Sequence, residues 1–179
     1  MDSTPEATGH FFGIILAVFM AAAYGRAGRS APFWMIMTRL PGTFLHELAH
    51  YAVAFVTGGS PSGFTIIPVR RESIRDGVVV NEWVLGSVTL RKPGALSAMP
   101  TGLAPLLLLG GAWHVHRHWF EWFPRDFPHT ICLYGVLCLL CCGSVPSGRD
   151  LHVAVSSISG MVLYCLLAAM CISFTRIVW

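Results

Sequence analysis

Long apolar stretches separated by short polar segments are the feature that most limits the folds open to this chain. A membrane-spanning helix needs about 20 apolar residues, within a range of roughly 17–25. Five stretches approach or exceed this length, near residues 10–25, 32–57, 95–115, 130–143 and 151–178. We therefore predict an all-α membrane protein with about five transmembrane or membrane-embedded helices.

Composition supports the bilayer as the solvent of this chain. Charged residues make up 12% of the sequence, where a soluble protein carries about 25%, so too little polar surface exists to cover a globule in water. The net charge of +3 comes from basic residues that stand singly or in pairs between apolar stretches, as topology-setting residues do at membrane edges. Because no long basic face exists, we expect a lipid bilayer and no nucleic acid among the partners.

The N-terminal apolar stretch has the charge order opposite to that of a signal peptide. A signal peptide carries positive charge before its apolar segment, whereas here Asp2 and Glu6 come before it and Arg26 and Arg29 follow it. We therefore expect a retained helix in a multi-pass integral membrane protein. The chain is compact and has no organelle transit features, which favours a prokaryotic cell membrane as its location.

The polar segment 58–94, between the second and third apolar stretches, has the composition of β-strands. Its β-branched runs are bounded by Gly, Pro and Asp, a pattern that predicts strands. The runs lie at residues 64–67, 78–80, 83–85 and 87–90. Pro68 ends the first strand or confines it to a sheet edge. We predict a single membrane-embedded domain, residues 1–179, with one or two β-hairpins inserted at 58–94 between helices two and three.

The second apolar stretch contains an H-E-x-x-H motif, His46-Glu47-Leu48-Ala49-His50. On a helix, residues i and i+4 share a face, so both imidazoles can bind one metal ion. Glu47 follows the first ligand and can reach a metal-bound water. The alternative is a set of side chains that are hydrogen-bonded between helices. An ionisable side chain in a bilayer costs about 2.5–3.5 kcal/mol on insertion scales, so three such residues within five positions favour the metal site.

A third metal ligand must come from elsewhere, because a catalytic zinc site has three protein ligands and one open position for water. Asp150 follows a break that contains Gly, Pro and Ser, and it opens the last apolar stretch. From there its carboxylate could reach a metal ion held by the second helix. The alternative is that Asp150 only favours its helix N-terminus, where negative charge suits the helix dipole. Glu72 is the second choice, although the arginines beside it favour a solvated ion pair.

Four other histidines are weaker candidates for metal binding: His114, His116, His118 and His152. His114 and His118 would share a face on a helix. However, they belong to an aromatic-rich segment, 114–129, that we predict as an interfacial loop. His152 lies close to the third candidate ligand and could support it. Cys138 and Cys141 form a C-x-x-C pattern inside an apolar run, where cysteine more often acts as a small buried hydrophobe.

Together these residues resemble the site-2 protease family of intramembrane metalloproteases. The resemblance rests on H-E-L-A-H in an apolar helix, a following β-rich loop and a later Pro-containing break that ends in an aspartate. It implies that His46, His50 and Asp150 hold Zn²⁺ and that Glu47 is the catalytic base. The Gly-Leu-Ala-Pro segment at 102–105 is similar to the family's Gly-Pro segment. The sequence Arg-Asp-Leu around the aspartate differs from the family's usual Leu-Asp-Gly.

We therefore expect a zinc metalloendopeptidase that hydrolyses peptide bonds of membrane-associated proteins, with a zinc-bound water activated by Glu47. Its partners are then a membrane protein or peptide substrate and the lipid bilayer. Two other functions stay open. In a non-catalytic membrane protein, a structural zinc site would be closed by a fourth ligand, such as His152 or a cysteine. In a metal transporter, His46, His50 and Asp150 would form a transit site, and Glu47 would have no special task.

Overall fold

The computed structural model describes residues 4–26, 32–66, 69–75, 78–84, 86–90 and 94–178. These residues form a mostly helical chain with small antiparallel sheets between the second and third helices, as the sequence predicts. The helices are α1 (Thr4–Arg26), α2 (Pro32–Val56), α3 (Ala98–Leu103), α4 (Leu107–Trp122), α5 (Phe127–Gly143), α6 (Gly148–Val155) and α7 (Ile158–Val178). The strands are β1 (Pro61–Thr65), β2 (Val69–Arg75), β3 (Val78–Val84) and β4 (Ser87–Leu90).

Two of the five predicted helices are broken in the structure. The third becomes α3, a 3-10 turn at Ala104–Leu106 and then α4, because Pro105 has no backbone N–H with which to continue the α-helical hydrogen bonds. The fifth becomes α6 and α7. Ser156 donates its hydroxyl to a carbonyl of α6 at 2.7 Å, and the hydroxyl of Ser157 accepts the N–H of Gly160 at 3.2 Å. The second of these bonds caps the start of α7.

The segment 58–94 contains two antiparallel strand pairs. β1 pairs with β4 and β2 pairs with β3, so the β2–β3 hairpin is enclosed between the strands of the outer pair. Phe64 lies opposite Val88 in the outer pair, and Glu72 lies opposite Asn81 in the hairpin. The prediction of one or two hairpins is confirmed, although β2 was not predicted because its arginines hide the β-branched pattern. Pro68 lies outside the described residues.

The aromatic-rich segment 114–129 is mostly helical, so the prediction of a loop there is wrong. α4 continues to Trp122, and α5 begins directly after its N-cap residue, Asp126. The Asp126 carboxylate accepts the backbone N–H of His129 at 3.0 Å and contacts its ring at 2.6 Å. The backbone N–H and the ring of His129 hold the pKa of Asp126 below its usual range. Trp119 donates its indole N–H to the carbonyl of His129 at 3.0 Å, which joins α4 to α5.

Small side chains fill much of the interior, and many large apolar side chains lie on the outside. The buried hydrophobic residues are Ala54, Ala98, Ala104, Ala112, Trp119, Leu133 and Ala154. By contrast, large apolar side chains on α1 and α7, such as Phe19 and Ile158, are exposed. Small residues let helix backbones approach closely. At Gly102, for example, an added Cβ would lie 2.5 Å from the carbonyl oxygen of Asp150 on α6.

The described helices include one that is long and apolar enough to cross a membrane, the Ala7–Arg26 part of α1. There is a second candidate span if α5 and α6 are counted together, although the two helices are bent by 55° at the break between them. The prediction of about five spans in a multi-pass protein is therefore not supported by these helices. The difference has two physical causes. Arg39 and the charged motif lower the apolar character of α2, and the break between α3 and α4 shortens the third apolar stretch.

Candidate metal centre

Three side chains from two helices converge on one point. His46 and His50 lie one turn apart on α2, with their Nε2 atoms 3.1 Å from each other. From α6, Asp150 places its Oδ2 atom 3.1 Å from the Nε2 of His46 and its Oδ1 atom 3.2 Å from the Nε2 of His50. These ligand atoms all lie within 4.8 Å of one another. Within the described ranges, no other group of three or more such residues could hold a metal ion.

Both imidazoles are hydrogen-bonded to backbone carbonyls through their Nδ1 atoms. The Nδ1 atom of His46 donates to the carbonyl of Gly143 at 2.8 Å, and the Nδ1 atom of His50 donates to the carbonyl of Thr101 at 2.7 Å. A carbonyl can only accept, so each Nδ1 carries the proton, and the Nε2 lone pair of the neutral ring points at the common centre. Metal-binding histidines are usually oriented by such a bond on the other ring nitrogen.

Interruptions of two helices make these carbonyls available. Gly143 is the last residue of α5, where backbone carbonyls lack a partner within the helix. Thr101 lies four residues before Pro105, and proline has no N–H to donate to the carbonyl at that distance. This carbonyl accepts the N–H of Ala104 and keeps a second lone pair for His50. The crossing of α2 and α5 brings the first carbonyl into place, because Gly42 and Gly143 leave so little room that a Cβ on Gly143 would lie 2.9 Å from the carbonyl oxygen of Gly42.

The convergence of these groups needs a positive charge among them. Two imidazole lone pairs and a carboxylate repel one another unless a metal ion, or a proton added to an imidazole, lies between them. The distances suit a metal ion. Two ligands that are each about 2.0–2.1 Å from a tetrahedral Zn²⁺ are about 3.3 Å apart. The two Nε2 atoms are 3.1 Å apart, and one ligand atom from each of the three residues fits within 4.8 Å. The His-His-Asp group could therefore hold a metal ion.

Asp150 also caps its own helix. Ser147 donates its backbone N–H to the Oδ2 atom of Asp150 at 2.6 Å, and Asp150 donates its backbone N–H to the Ser147 hydroxyl at 3.2 Å, which completes a capping box at the start of α6. The two interpretations of Asp150 that the sequence allows are therefore compatible. The capping box fixes the carboxylate beside the helix, and the same carboxylate faces the two histidines.

Glu47 lines the same cavity, beside the three converging residues. This cavity has a volume of about 1030 Å³ and is also lined by His46, His50 and Asp150. The start of β4 passes directly over Glu47, since a Cβ added to Gly86 would lie 2.7 Å from the Cγ atom of Glu47. Glu47 is half-buried and is not a member of the His-His-Asp group. Its carboxylate accepts the backbone N–H of Val88 on β4 and is not taken up as one of the three converging groups.

The weaker candidates do not join this group. Glu72 is exposed on β2, a strand that pairs with β3. His152 and His116 are exposed. His114 and His118 do share a face of α4, with ring centroids 4.6 Å apart. However, His118 is engaged at 2.7 Å by the exposed carboxylate of Glu121. The structure thus brings Asp150, and not Glu72, to the two histidines of the motif.

The C-x-x-C pattern does not form a cysteine pair. The Sγ atom of Cys138 lies 3.9 Å from that of Cys142, one helical turn away, and Cys141 is exposed. The five cysteines whose side chains are described are free thiols, and each is exposed or partly exposed. Cys138 and Cys141, which the sequence favoured as small buried hydrophobes, are therefore partly exposed and exposed, respectively, on α5.

The backbone groups that orient the site were not predicted from the sequence motifs. No metal-binding pattern points to Gly143 or Thr101, because each acts through its carbonyl. The available signals were the end of an apolar stretch at Gly143 and the position of Pro105, four residues after Thr101. Gly86 was missed as well, since its close approach to Glu47 depends on how β4 crosses α2.

Comparisons of this chain with protein-family models, curated proteins and solved structures find no match. The class of protein is therefore defined by the site itself: a mostly helical chain with a His-His-Asp group that could hold a metal ion. The resemblance to the site-2 protease family is carried by the residues alone and stays a prediction.

Proposed function

We propose that this chain is an intramembrane zinc metalloprotease, similar to the site-2 protease family, that hydrolyses peptide bonds of membrane-associated proteins. One observation carries the proposal: His46, His50 and Asp150 converge with their metal-binding atoms facing one another, and Glu47 lines the same cavity. This is the arrangement that the H-E-x-x-H mechanism needs, with the base placed next to the first ligand.

Zinc is the metal that this ligand set fits best. Imidazole nitrogen and carboxylate oxygen both suit Zn²⁺, and three protein ligands leave the open position that a catalytic site requires. When bound, zinc lowers the pKa of its water toward about 7 and polarises a substrate carbonyl. The carbonyls of Gly143 and Thr101 supply the second contact of each histidine and keep the Nε2 atoms turned toward the metal position.

Glu47 acts as the general base in the proposed reaction. Its carboxylate takes a proton from the attacking water and passes it to the leaving amine of the cleaved peptide. Glu47 is half-buried, so few water molecules compete for the proton. The backbone N–H of Val88 on β4 is hydrogen-bonded to this carboxylate. Gly86, just before β4, packs against the Glu47 side chain where a larger residue would clash.

β4 is suited to hold an extended substrate. A helical substrate shields its carbonyls, so hydrolysis needs an extended segment. β4 pairs with β1 in a two-stranded sheet, and Gly86, Ser87 and Val88 line the cavity. A peptide added along β4 would form main-chain hydrogen bonds and pass close to Glu47. Deleting 58–94 should therefore abolish cleavage, and cleavage at the normal rate after that deletion would remove β4 from the mechanism.

The distribution of apolar side chains supports a membrane location. Small residues lie inside, and large apolar side chains such as Phe11, Phe19, Val162 and Met170 lie outside. Exposed apolar surface of this kind is unfavourable in water and favourable in lipid. We propose that the lipid bilayer surrounds α1, α5 and α7, and that α2 carries the site within the membrane as part of a multi-pass protein.

The open cavity favours catalysis over a structural zinc site. A structural site would be closed by a fourth protein ligand, and His152, the nearest candidate in sequence, is exposed and outside the group. A metal transporter would use the same three ligands but would give Glu47 no task. The presence of Glu47 in the cavity therefore favours the protease.

The zinc content of detergent-purified protein tests this proposal. We expect about one zinc per chain in the wild type and in Glu72→Ala, and loss of zinc in Asp150→Ala, because metal binding needs all three ligands. The two variants are matched, since each removes one of the carboxylates that the sequence offers as third ligand. A wild-type protein without zinc, or loss of zinc in Glu72→Ala, would contradict the site described above.

A further inference from the structure

Thr101 has a buried hydroxyl without a hydrogen-bond partner. The residue is 2% exposed. Among the buried side-chain nitrogen and oxygen atoms of the described residues, its Oγ1 atom is the one that makes no hydrogen bond. A buried polar group normally has a partner, because leaving it unpaired after removal from water costs free energy. The exception therefore needs a physical explanation.

Other buried hydroxyls in this chain have partners. Thr130 donates to the carbonyl of Asp126 at 2.8 Å, and Ser144 donates to the carbonyl of Cys141 at 2.7 Å. Bonds of this kind, back to a carbonyl three or four residues earlier, are the usual solution for a hydroxyl on a helix. Thr101 lies on a helix too, yet its hydroxyl does not use this solution.

Thr101 lies at the metal centre. It lines the cavity that also contains the two histidines, Asp150 and Glu47. Its own carbonyl accepts the Nδ1–H of His50 at 2.7 Å. The next residue, Gly102, packs against the backbone of Asp150 so closely that an added Cβ would lie 2.5 Å from its carbonyl oxygen. The unpaired hydroxyl is therefore on a residue that contacts one candidate ligand and adjoins another.

We infer that the hydroxyl of Thr101 donates a hydrogen bond to an oxygen atom of a molecule that binds in this cavity beside the candidate metal ligands. That oxygen belongs either to water or to the peptide carbonyl of a substrate, and both are acceptors of the same kind. The inference rests on the proposed metal site, and it adds a positioning residue that lies outside the H-E-x-x-H motif and is not a metal ligand.

The experiment compares Thr101→Val with Thr101→Ser in the zinc-loaded full chain. Valine has almost the shape of threonine and lacks the hydroxyl, whereas serine keeps it. Acetohydroxamate, a small oxygen ligand for zinc, is the probe, and its affinity is measured by calorimetry. We expect Thr101→Val to bind the probe roughly tenfold more weakly, the usual effect of one lost hydrogen bond. Thr101→Ser should stay within about twofold of the wild type, and zinc content should be unchanged in both variants.

Thermal unfolding separates a positioning role from a packing role. Thr101→Val should not lower the Tm of the zinc-free protein, because valine replaces an unpaired hydroxyl with a methyl group of similar size. Thr130→Val is the control, since it removes a hydroxyl that does have a partner. It should lower Tm and leave the affinity for acetohydroxamate unchanged. Weaker probe binding in Thr101→Val together with lost zinc or a lower Tm would overturn the inference.

The two sources of the oxygen are distinguished by kinetics. If the hydroxyl holds the substrate carbonyl, Thr101→Val raises KM and leaves kcat unchanged; if it holds the attacking water, kcat falls at constant KM. Equal affinity of wild type and Thr101→Val for acetohydroxamate would refute the inference while leaving the metal site intact. A wild type that cleaves no peptide, yet binds the probe in a Thr101-dependent way, would refute the protease and support the inference.

Discussion

On α2, His46 and His50 share a face with Asp150 beside them; on α4, His114 and His118 share a face with Glu121 beside them. Both sets contain two imidazoles one helical turn apart and a nearby carboxylate. The first set draws on two helices and is enclosed, with 8% of the His50 side chain and 14% of the Asp150 side chain exposed. The second lies on one helix, with 40% of the His118 side chain and 66% of the Glu121 side chain exposed.

The contacts of the ring nitrogens explain the difference between the two sets. His46 and His50 each donate from Nδ1 to a backbone carbonyl, which leaves Nε2 turned to the centre. The Nδ1 atom of His118 instead contacts the exposed carboxylate of Glu121 at 2.7 Å. The i, i+4 spacing therefore brings two histidines together in both helices. The α2 pair differs because backbone carbonyls orient its rings and a second helix supplies a carboxylate, and these additions give it the composition of a metal site.

The largest expected effect concerns Glu47 beside the α2 pair, with Glu121 beside the α4 pair for comparison. Glu47→Gln keeps the shape of the side chain and removes the base, so peptide hydrolysis should fall by roughly 10²- to 10⁴-fold. Zinc content should stay unchanged, because Glu47 is not one of the three converging ligands. Glu121→Gln is the matched control beside the α4 pair and should keep full activity. Both statements are checked by measuring the hydrolysis of a membrane-protein substrate and the zinc content on the same samples.

The second effect compares one histidine of each pair. His46→Ala removes a candidate ligand, and zinc affinity should fall by more than about 100-fold, beyond the loss usual for a residue that only supports a ligand. His114→Ala should bind zinc at this site like the wild type. Competition with a coloured chelator measures both affinities. Equal losses in the two variants would show that the α4 pair also holds zinc and would break the comparison.

Removal of zinc should lower the thermal stability of the protein only when the α2 histidine pair is intact, whether or not the α4 pair is present. Zinc at a free concentration of about 100 times its Kd stabilises the folded protein by about 2.7 kcal/mol, so a chelator should lower the Tm of the wild type. The Tm of His46→Ala should not respond to the chelator. The double variant His114→Ala/His118→Ala should respond as the wild type does. A wild-type Tm that is independent of zinc would mean that no metal is held in the folded state.

The smallest effect concerns the strand over the α2 pair. Gly86→Ala places a methyl group where the Cγ atom of Glu47 lies 2.7 Å away, so β4 or Glu47 must shift, and kcat/KM should fall by roughly tenfold through misplacement of the base. Gly63→Ala on β1 is the control, because its added Cβ finds its nearest neighbour at 3.7 Å. Full activity in Gly86→Ala would show that the position of β4 has no influence on Glu47.

Much of this architecture follows from local patterns. The apolar stretches predict the positions of the helices, and the β-branched runs of 58–94 predict three of the four strands. The breaks at Pro105 and at Ser156 were not predicted, although Pro105 carries a local signal. About five membrane spans were predicted, whereas one described helix, or two if α5 and α6 count as a single bent span, is long and apolar enough to cross a membrane.

The sequence by itself determined the H-E-x-x-H motif, its helical spacing and Asp150 as the favoured third partner, because these depend on the residue types and on the period of one helix. Only the tertiary structure decided that Asp150, and not Glu72, faces the histidines. It also decided that the carbonyls of Gly143 and Thr101 orient the rings. The reason is physical: a backbone carbonyl is present at every residue, so its role depends on which helices are interrupted and on where they cross.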